Sequence, residues 1–238
     1  MKTKWLAGSL ILLLAQNAFA EAQSNPVKEI VSNAYDVQTG KYIYSEYHRE
    51  FYSSGQHIYS IVEYRTPDRL LARKVINFAR SKEAPDFRLE DVRTGYLEGA
   101  EASASGYRLF ARKSIRDPLM ERILAIPEPA VIDGGFDYFI RNKFDRIAAG
   151  ERMIIQFGSA FQQDFFRFDV YKTANGNFKG KPAIFINVEA HNFLLKKLVD
   201  PIRLVYSSQS RRLMSYTGVS NINDDNGKSY KARIEFVL

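Results

Sequence analysis

The sequence predicts a mainly β protein of the α+β class, a curved antiparallel sheet or half-barrel with a helical insert on its concave face. Three observations predict it. Segments of strand length, rich in Tyr, Ile, Val and Phe and bounded by turn residues, recur from Tyr42 to Leu238. Their short connections favour antiparallel neighbours. Midway, "DGGFDYFIRNKFDRIAAGE" (Asp133 to Glu151) changes to helical spacing, with Phe136, Phe139, Ile140, Phe144 and Ile147 on one face.

The first twenty residues read as a leader. Lys2 and Lys4 supply positive charge, and Trp5 to Leu14 is an apolar run too short to span a bilayer as a helix. Ala18-Phe19-Ala20 is a small-x-small cleavage site, which predicts export and a mature chain from Glu21. A chain of 238 residues less these 20 leaves 218, enough for a single core-bearing domain over 21–238. With no cysteine, that core holds without disulfides, and a lipid anchor on an N-terminal cysteine is excluded. The chain carries 34 basic and 27 acidic residues, formally +7; without the leader's two lysines this falls to +5. So mild an excess suits a mixed solvated surface, with weak contact to anionic membrane surfaces as the functional alternative. Export argues against a nucleic-acid partner.

The first block is a meander of strands at Tyr42–Phe51, His57–Thr66, Leu70–Ala79, Phe87–Val92, Tyr96–Ala102 and Tyr107–Arg112. Turn chemistry separates them: Ser53-Ser54-Gly55, Thr66-Pro67-Asp68, Ala84-Pro85-Asp86, Thr94-Gly95 and Ser105-Gly106. A helical insert is expected over about 117–149. Asp117-Pro118 reads as N-cap and first helical residue before Leu119, Ile123 and Leu124, and Pro127 and Pro129 stop that piece. In the second piece Asp133 is the expected N-cap and Gly150 the C′ residue. Strands then resume at Arg152–Phe157, Phe165–Lys172 and Ala183–Glu189, with Asn175-Gly176 as the expected tight turn. A short helix over Phe193–Val199, capped by Asn192, precedes strands at Arg203–Ser207, Leu213–Thr217 and Tyr230–Leu238.

The last strand alternates cleanly: Tyr230, Ala232, Ile234, Phe236 and Leu238 face one way, Lys231, Arg233 and Glu235 the other. Several earlier strands carry apolar groups on both faces, which calls for a cover on each side or a ligand on one. The Phe136-bearing helix is the expected cover, a plug or lid on the half-barrel. The expected ligand-contacting residues are Phe136, Phe139, Ile140, Phe144, Phe166, Phe168, Met214 and Tyr216, with Met153 as a further lining methionine.

For catalysis the inventory is thin. The histidines are His48, His57 and His191, without metal-helix spacing, nucleophile elbow or P-loop. Glu46, His48 and Glu50 share a strand face and form the best acid/base or metal group, though such alternation also marks a solvated face. His48 and His57 could be near neighbours across the first hairpin, which would suit a metal pair, but the expected reading is hydrogen-bonded strand histidines. "SNINDDNGKSY" (Ser220 to Tyr230) has calcium-loop residues but no bidentate Glu, and reads as a hairpin turn at Asp225-Asn226-Gly227. No cofactor or structural metal is expected.

The order of leader, antiparallel meander, apolar helix, strands, short helix and two closing strands resembles the LolA/LolB-like half-barrel carriers that ferry lipoproteins across the periplasm. "GFDYFIRNKFDRIAAGE", "DPIRLVYSSQSRRLMSYTGVSNI" and "NGKSYKARIEF" are similar to an uncharacterised family of exported proteobacterial proteins. The resemblances imply a periplasmic address, with lipid or lipoprotein acyl chains as partners, and no assigned activity. The expected function is non-enzymatic binding of an apolar or amphipathic ligand in the concave face. The alternatives are a small outer-membrane β-barrel, suggested by the closing alternation, and a metal-assisted hydrolase using Glu46, His48, Glu50 or His57.

Overall fold

A computed structural model describes residues 27–192 and 200–237. The leader, the short helix expected at Phe193–Val199 and Leu238 lie outside the described residues. The first half carries strands β1 (Val27–Asp36), β2 (Tyr42–Ser53), β3 (Gln56–Arg65), β4 (Leu70–Asn77), β5 (Asp86–Asp91), β6 (Leu97–Ser103), β7 (Gly106–Arg112) and β8 (Met120–Leu124). After β9 (Ala130–Ile132) come helices α1 (Gly135–Asn142) and α2 (Phe144–Ala148). Strands β10 (Met153–Ser159), β11 (Asp164–Phe178), β12 (Lys181–Ala190), β13 (Ile202–Ser207), β14 (Leu213–Asn223) and β15 (Ser229–Phe236) complete the chain.

Among the described residues all fifteen strands join one sheet, in the order β8-β7-β6-β5-β4-β3-β2-β1-β15-β14-β13-β12-β11-β10-β9. Neighbours are antiparallel except the parallel pair β9–β10. The first and last strands meet in the middle, Ser32 opposite Phe236 and Ala34 opposite Ile234, so the two blocks are one surface. Register shifts recur at Ala34/Tyr35, Phe51/Tyr52, Tyr64/Arg65, Lys172/Ala174 and Val205/Tyr206. Such irregularities raise local twist and curl the ribbon. Its edges β8 and β9 are not hydrogen-bonded to each other. Side chains close the gap: Phe87, Tyr107 and Leu109 pack with Ala130, Ile132 and Ala160.

The helices lie across the hollow. Phe139, Ile140, Phe144 and Ile147 are buried against Ile155, Val170, Ile186, Val188 and Leu204, which project inward from β10–β13. Each such side chain contributes on the order of 1.5–3 kcal/mol when fully buried. Gly150, at φ +99, ends the pair in a Schellman motif. Its N–H donates to the carbonyl of Ile147 at 2.9 Å, and that of Glu151 donates to Arg146 at 3.0 Å. The other end departs from expectation. Gly134, not Asp133, is the N-cap, and no side chain caps the helix; Asp133 turns its carboxylate to Lys74 instead.

Gly135 fixes how closely α1 can seat, because a Cβ there would fall 2.0 Å from the carbonyl oxygen of Glu83. Gly135→Ala is expected to lower thermal stability by about 1–3 kcal/mol, as overpacking does. An unchanged melting curve would show that the Glu83 segment yields freely.

Three expectations are corrected. The piece predicted as helix from Asp117 is strand β8, Met120 to Leu124, antiparallel to β7 with Met120 opposite Ala111. The free edge of β7 offers five residues' worth of ladder, and that pairing outweighs a short helical stripe. The helical insert therefore spans only 135–148. Asn175-Gly176 lies within β11, and the chain turns at Lys179-Gly180, both at positive φ (49° and 79°) as a type I′ turn requires. Strands β1 and β9 were not anticipated. The turn after β14 is as expected, with Asp224 accepting from the N–H groups of Asn226 and Lys228.

Candidate ligand-binding cavity

Helices α1 and α2 bury their apolar face on the β10–β13 side of the hollow, and α1 touches the opposite side through Tyr138. Between α1 and the remaining strands lies a cavity of about 1150 Å³ with two unlike walls. Phe157 of β10, Phe168 of β11, Ile202 of β13, Leu213 of β14 and Phe236 of β15 make an apolar wall. Lys28, Glu46, His48, Glu50, Ser60 and Lys74, from β1–β4, make a polar one. Strand period places the polar set. Lys28 pairs with Glu50, Ile30 with His48 and Ser32 with Glu46 across β1 and β2, and partners directly opposite share a face. His48 then sits opposite Val62, and Val62 opposite Lys74.

The polar wall is internally bonded. Glu46, only 6% exposed, accepts from the Ser32 hydroxyl at 2.9 Å and lies 3.0 Å from His48 Nε2. Burial pushes its carboxyl upward, but the bonds from His48 and Ser32 and the charge of Lys74 bring it below the ordinary range. Lys74 lies 3.0 Å from both oxygens of Asp133, with side chains 11% and 7% exposed. Burial opposes the ammonium, and Asp133 with Tyr64 outweighs it, so Lys74 stays charged. Asn221 Nδ2 bridges Glu98, at 2.8 Å, and Asp133, at 3.3 Å. Burial, aided by the nearby Asp133, raises the Glu98 carboxyl. Tyr44 and Ser220 hydroxyls share a 2.5 Å hydrogen bond. Ser220 and Asn221 thus stitch β14 to the interior.

At the other end of the wall, His57 Nδ1 lies 2.7 Å from the Tyr138 hydroxyl of α1, and its Nε2 lies 2.8 Å from Ser60 Oγ. Burial is the largest influence and lowers its pKa; Glu50 opposes this, while Lys82 and Arg141 add to it. The unfolded chain therefore takes up a proton near 6.5 before the folded chain does, and the stability held by neutral His57 is lost as pH falls below that value. Wild type is expected to lose stability relative to His57→Gln between pH 8 and pH 5 in urea titrations. Parallel pH profiles for the two proteins would contradict this.

The residues predicted to meet a ligand fall into three groups. Phe136, Phe168 and Tyr216 line the cavity. Phe139, Ile140 and Phe144, like Met153, are core beneath the helices rather than cavity wall. Met214 is on the wrong face: it packs with Ala183, Val205, Phe178 and Phe185, outside the sheet. The irregularity beside Tyr206 puts Leu213, not Met214, inside. Phe166 shares a face with its partner Phe157 but is absent from the cavity wall. Glu46, His48 and Glu50, expected on a solvated face if not a site, point inward. His48 and His57 do not pair, since His48 faces Val62 and His57 faces Tyr52. Among the described residues no cluster of three or more His, Asp or Glu side chains is poised for a metal. Missed altogether were Lys28, Lys74, Tyr138 and Arg141. For Lys28, Lys74 and Arg141 the one signal was charge at inward positions of strands and of the helix.

By sequence, no protein family matches the chain and no curated protein does. By structure it is similar to the β-barrel-like protein of domain of unknown function DUF1849 from Brucella abortus. The TM-score is 0.50 and the identity 8%, over 90% of this chain and 96% of that one. A DUF1329 family protein from Desulfovibrio piger aligns at TM-score 0.30 and 11% identity, over 93% of this chain and 88% of that one. The first match shows the fold, an open barrel-like sheet.

Proposed function

We propose that this chain is a non-enzymatic, exported periplasmic protein that holds one amphipathic ligand, a lipid or acyl chain, in the hollow of its sheet. The observation that carries the reading is the cavity of about 1150 Å³ with an apolar wall facing a charged one. Small-molecule sites typically occupy about 300–1,000 Å³ and combine mostly apolar lining with a few placed polar groups. The leader-like N-terminus and the resemblance to half-barrel lipoprotein carriers support the same reading.

The outer face favours it over a bilayer-spanning barrel. Arg49, Glu63 and Arg65 form an ion-paired group there, and Arg88 pairs with Glu90 nearby. A barrel in lipid presents an apolar outward band, where charges of this kind are costly.

The test is titration of the purified protein with a fluorescent fatty-acid probe, with native mass spectrometry of protein recovered from its host. Saturable one-to-one probe binding, displaced by unlabelled lipid, is expected. A flat titration together with ligand-free mass spectra would sink the reading.

A further inference from the structure

One corner of the cavity holds a lysine without an ion pair among the described residues and, beside it, a guanidinium with one idle buried donor. Lys82 donates to the backbone carbonyl of His57 and forms no ion pair among the described residues. Burial alone lowers its pKa, with no acid to offset the cost. Its ammonium lies 5.9 Å from the centre of the Tyr138 ring, and the guanidinium of Arg141 lies 4.7 Å from the same centre. Arg141 does have an acid: its Nε is 2.9 Å from Asp137 Oδ2. The N–H is misaligned with that oxygen, however, and this buried nitrogen makes no hydrogen bond. Asp137 also accepts from the Tyr206 hydroxyl at 3.0 Å. Glu50, the other carboxylate near His57, is taken by Lys28 at 3.0 Å and by the Tyr52 hydroxyl at 2.6 Å. Lys82, His57, Tyr138 and Arg141 all line the same cavity as the apolar wall.

We propose that this corner, Lys82 and Arg141 around Tyr138 with His57 beside them, seats the anionic headgroup of the ligand, a carboxylate or phosphate, while its chain lies along Phe157, Phe168 and Phe236. The assignment rests on the carrier reading and adds the sign of the headgroup. A charged acceptor here would take the idle donors of Lys82 and Arg141, and charge-assisted bonds are about twice as strong as neutral ones. An ammonium headgroup would instead meet Lys82 unscreened.

Three amphiphiles of equal chain length separate the claims: dodecanoate, 1-dodecanol and dodecyltrimethylammonium, each displacing a neutral fluorescent acyl probe from the purified protein. Dodecanoate is expected to compete about tenfold or more better than dodecanol, the effect of one or two charge-assisted hydrogen bonds. In Lys82→Ala that ratio is expected to fall toward one. In Lys82→Glu the preference is expected to move to the quaternary ammonium. Lys179→Ala, remote from the cavity, is the control and keeps the wild-type ratio; melting curves verify that all three variants fold. Equal competition by dodecanol and dodecanoate in wild type would overturn the headgroup assignment and leave the carrier reading standing. Failure of all three to compete, with no direct binding of the probe, would overturn both. Inorganic phosphate displacing the probe at the same concentration as dodecanoate would also overturn it, because the corner would then take a free anion.

Discussion

Asp133→Asn is expected to be among the most damaging single changes in this protein, costing about 3 kcal/mol in urea denaturation. The substitution keeps the size of the side chain and suits the positive φ of 39° at this position. It removes the charge that holds Lys74. That ammonium lies 3.0 Å from both carboxylate oxygens and is largely shut off from water. Left without its partner, it must lose its proton or draw water into the wall, and either is expensive. Lys74→Met in the Asp133→Asn background is expected to recover most of the loss, since an apolar group of similar length replaces an orphaned charge. A single-variant loss below about 1 kcal/mol, or a double variant weaker than either single one, would show that Glu46 alone can hold Lys74.

Phe144→Ala is expected to cost about 3–5 kcal/mol, as truncation of a buried phenylalanine does. Phe144 is 4% exposed and packs edge-on to Tyr206, ring centres 6.5 Å apart. It anchors the short helix α2, which cannot hold a helical conformation by itself. Because α1 continues into α2 with only Lys143 between them, loosening the anchor also frees the roof of the cavity. The variant is therefore expected to lose probe affinity along with stability. Stability lost with probe binding intact at a temperature where the variant remains folded would separate the roof from the cavity.

Much of the fold was legible. Strand after strand announced itself through alternation and turn residues, and the apolar face of the helix was read nearly in full. What escaped did so for identifiable reasons. Strand β1 ("VKEIVSNAYD") turns Lys28 and Ser32 inward, so it lacks the apolar alternation by which strands are recognised. Strand β8 ("MERIL") carries a plausible helical stripe, and only the vacant edge of β7 makes it a strand. The sequence anticipates an oily hollow; the cavity has one apolar wall and one charged wall. Phe168 and Tyr216 were foreseen on its wall, while the charged half went unread, because charges on a strand ordinarily mean water.

Local chemistry settled most of the strands and turns and the position of the greasy helix. These depend on residues within one turn or one pleat of each other. The direction of each face, and so the meeting of Ser32 with Glu46, Lys74 with Asp133 and His57 with Tyr138, was decided by assembly. A single-residue slip in pairing exchanges inside for outside, as at Met214 and Leu213. No window of sequence shorter than the sheet holds the information that prevents it.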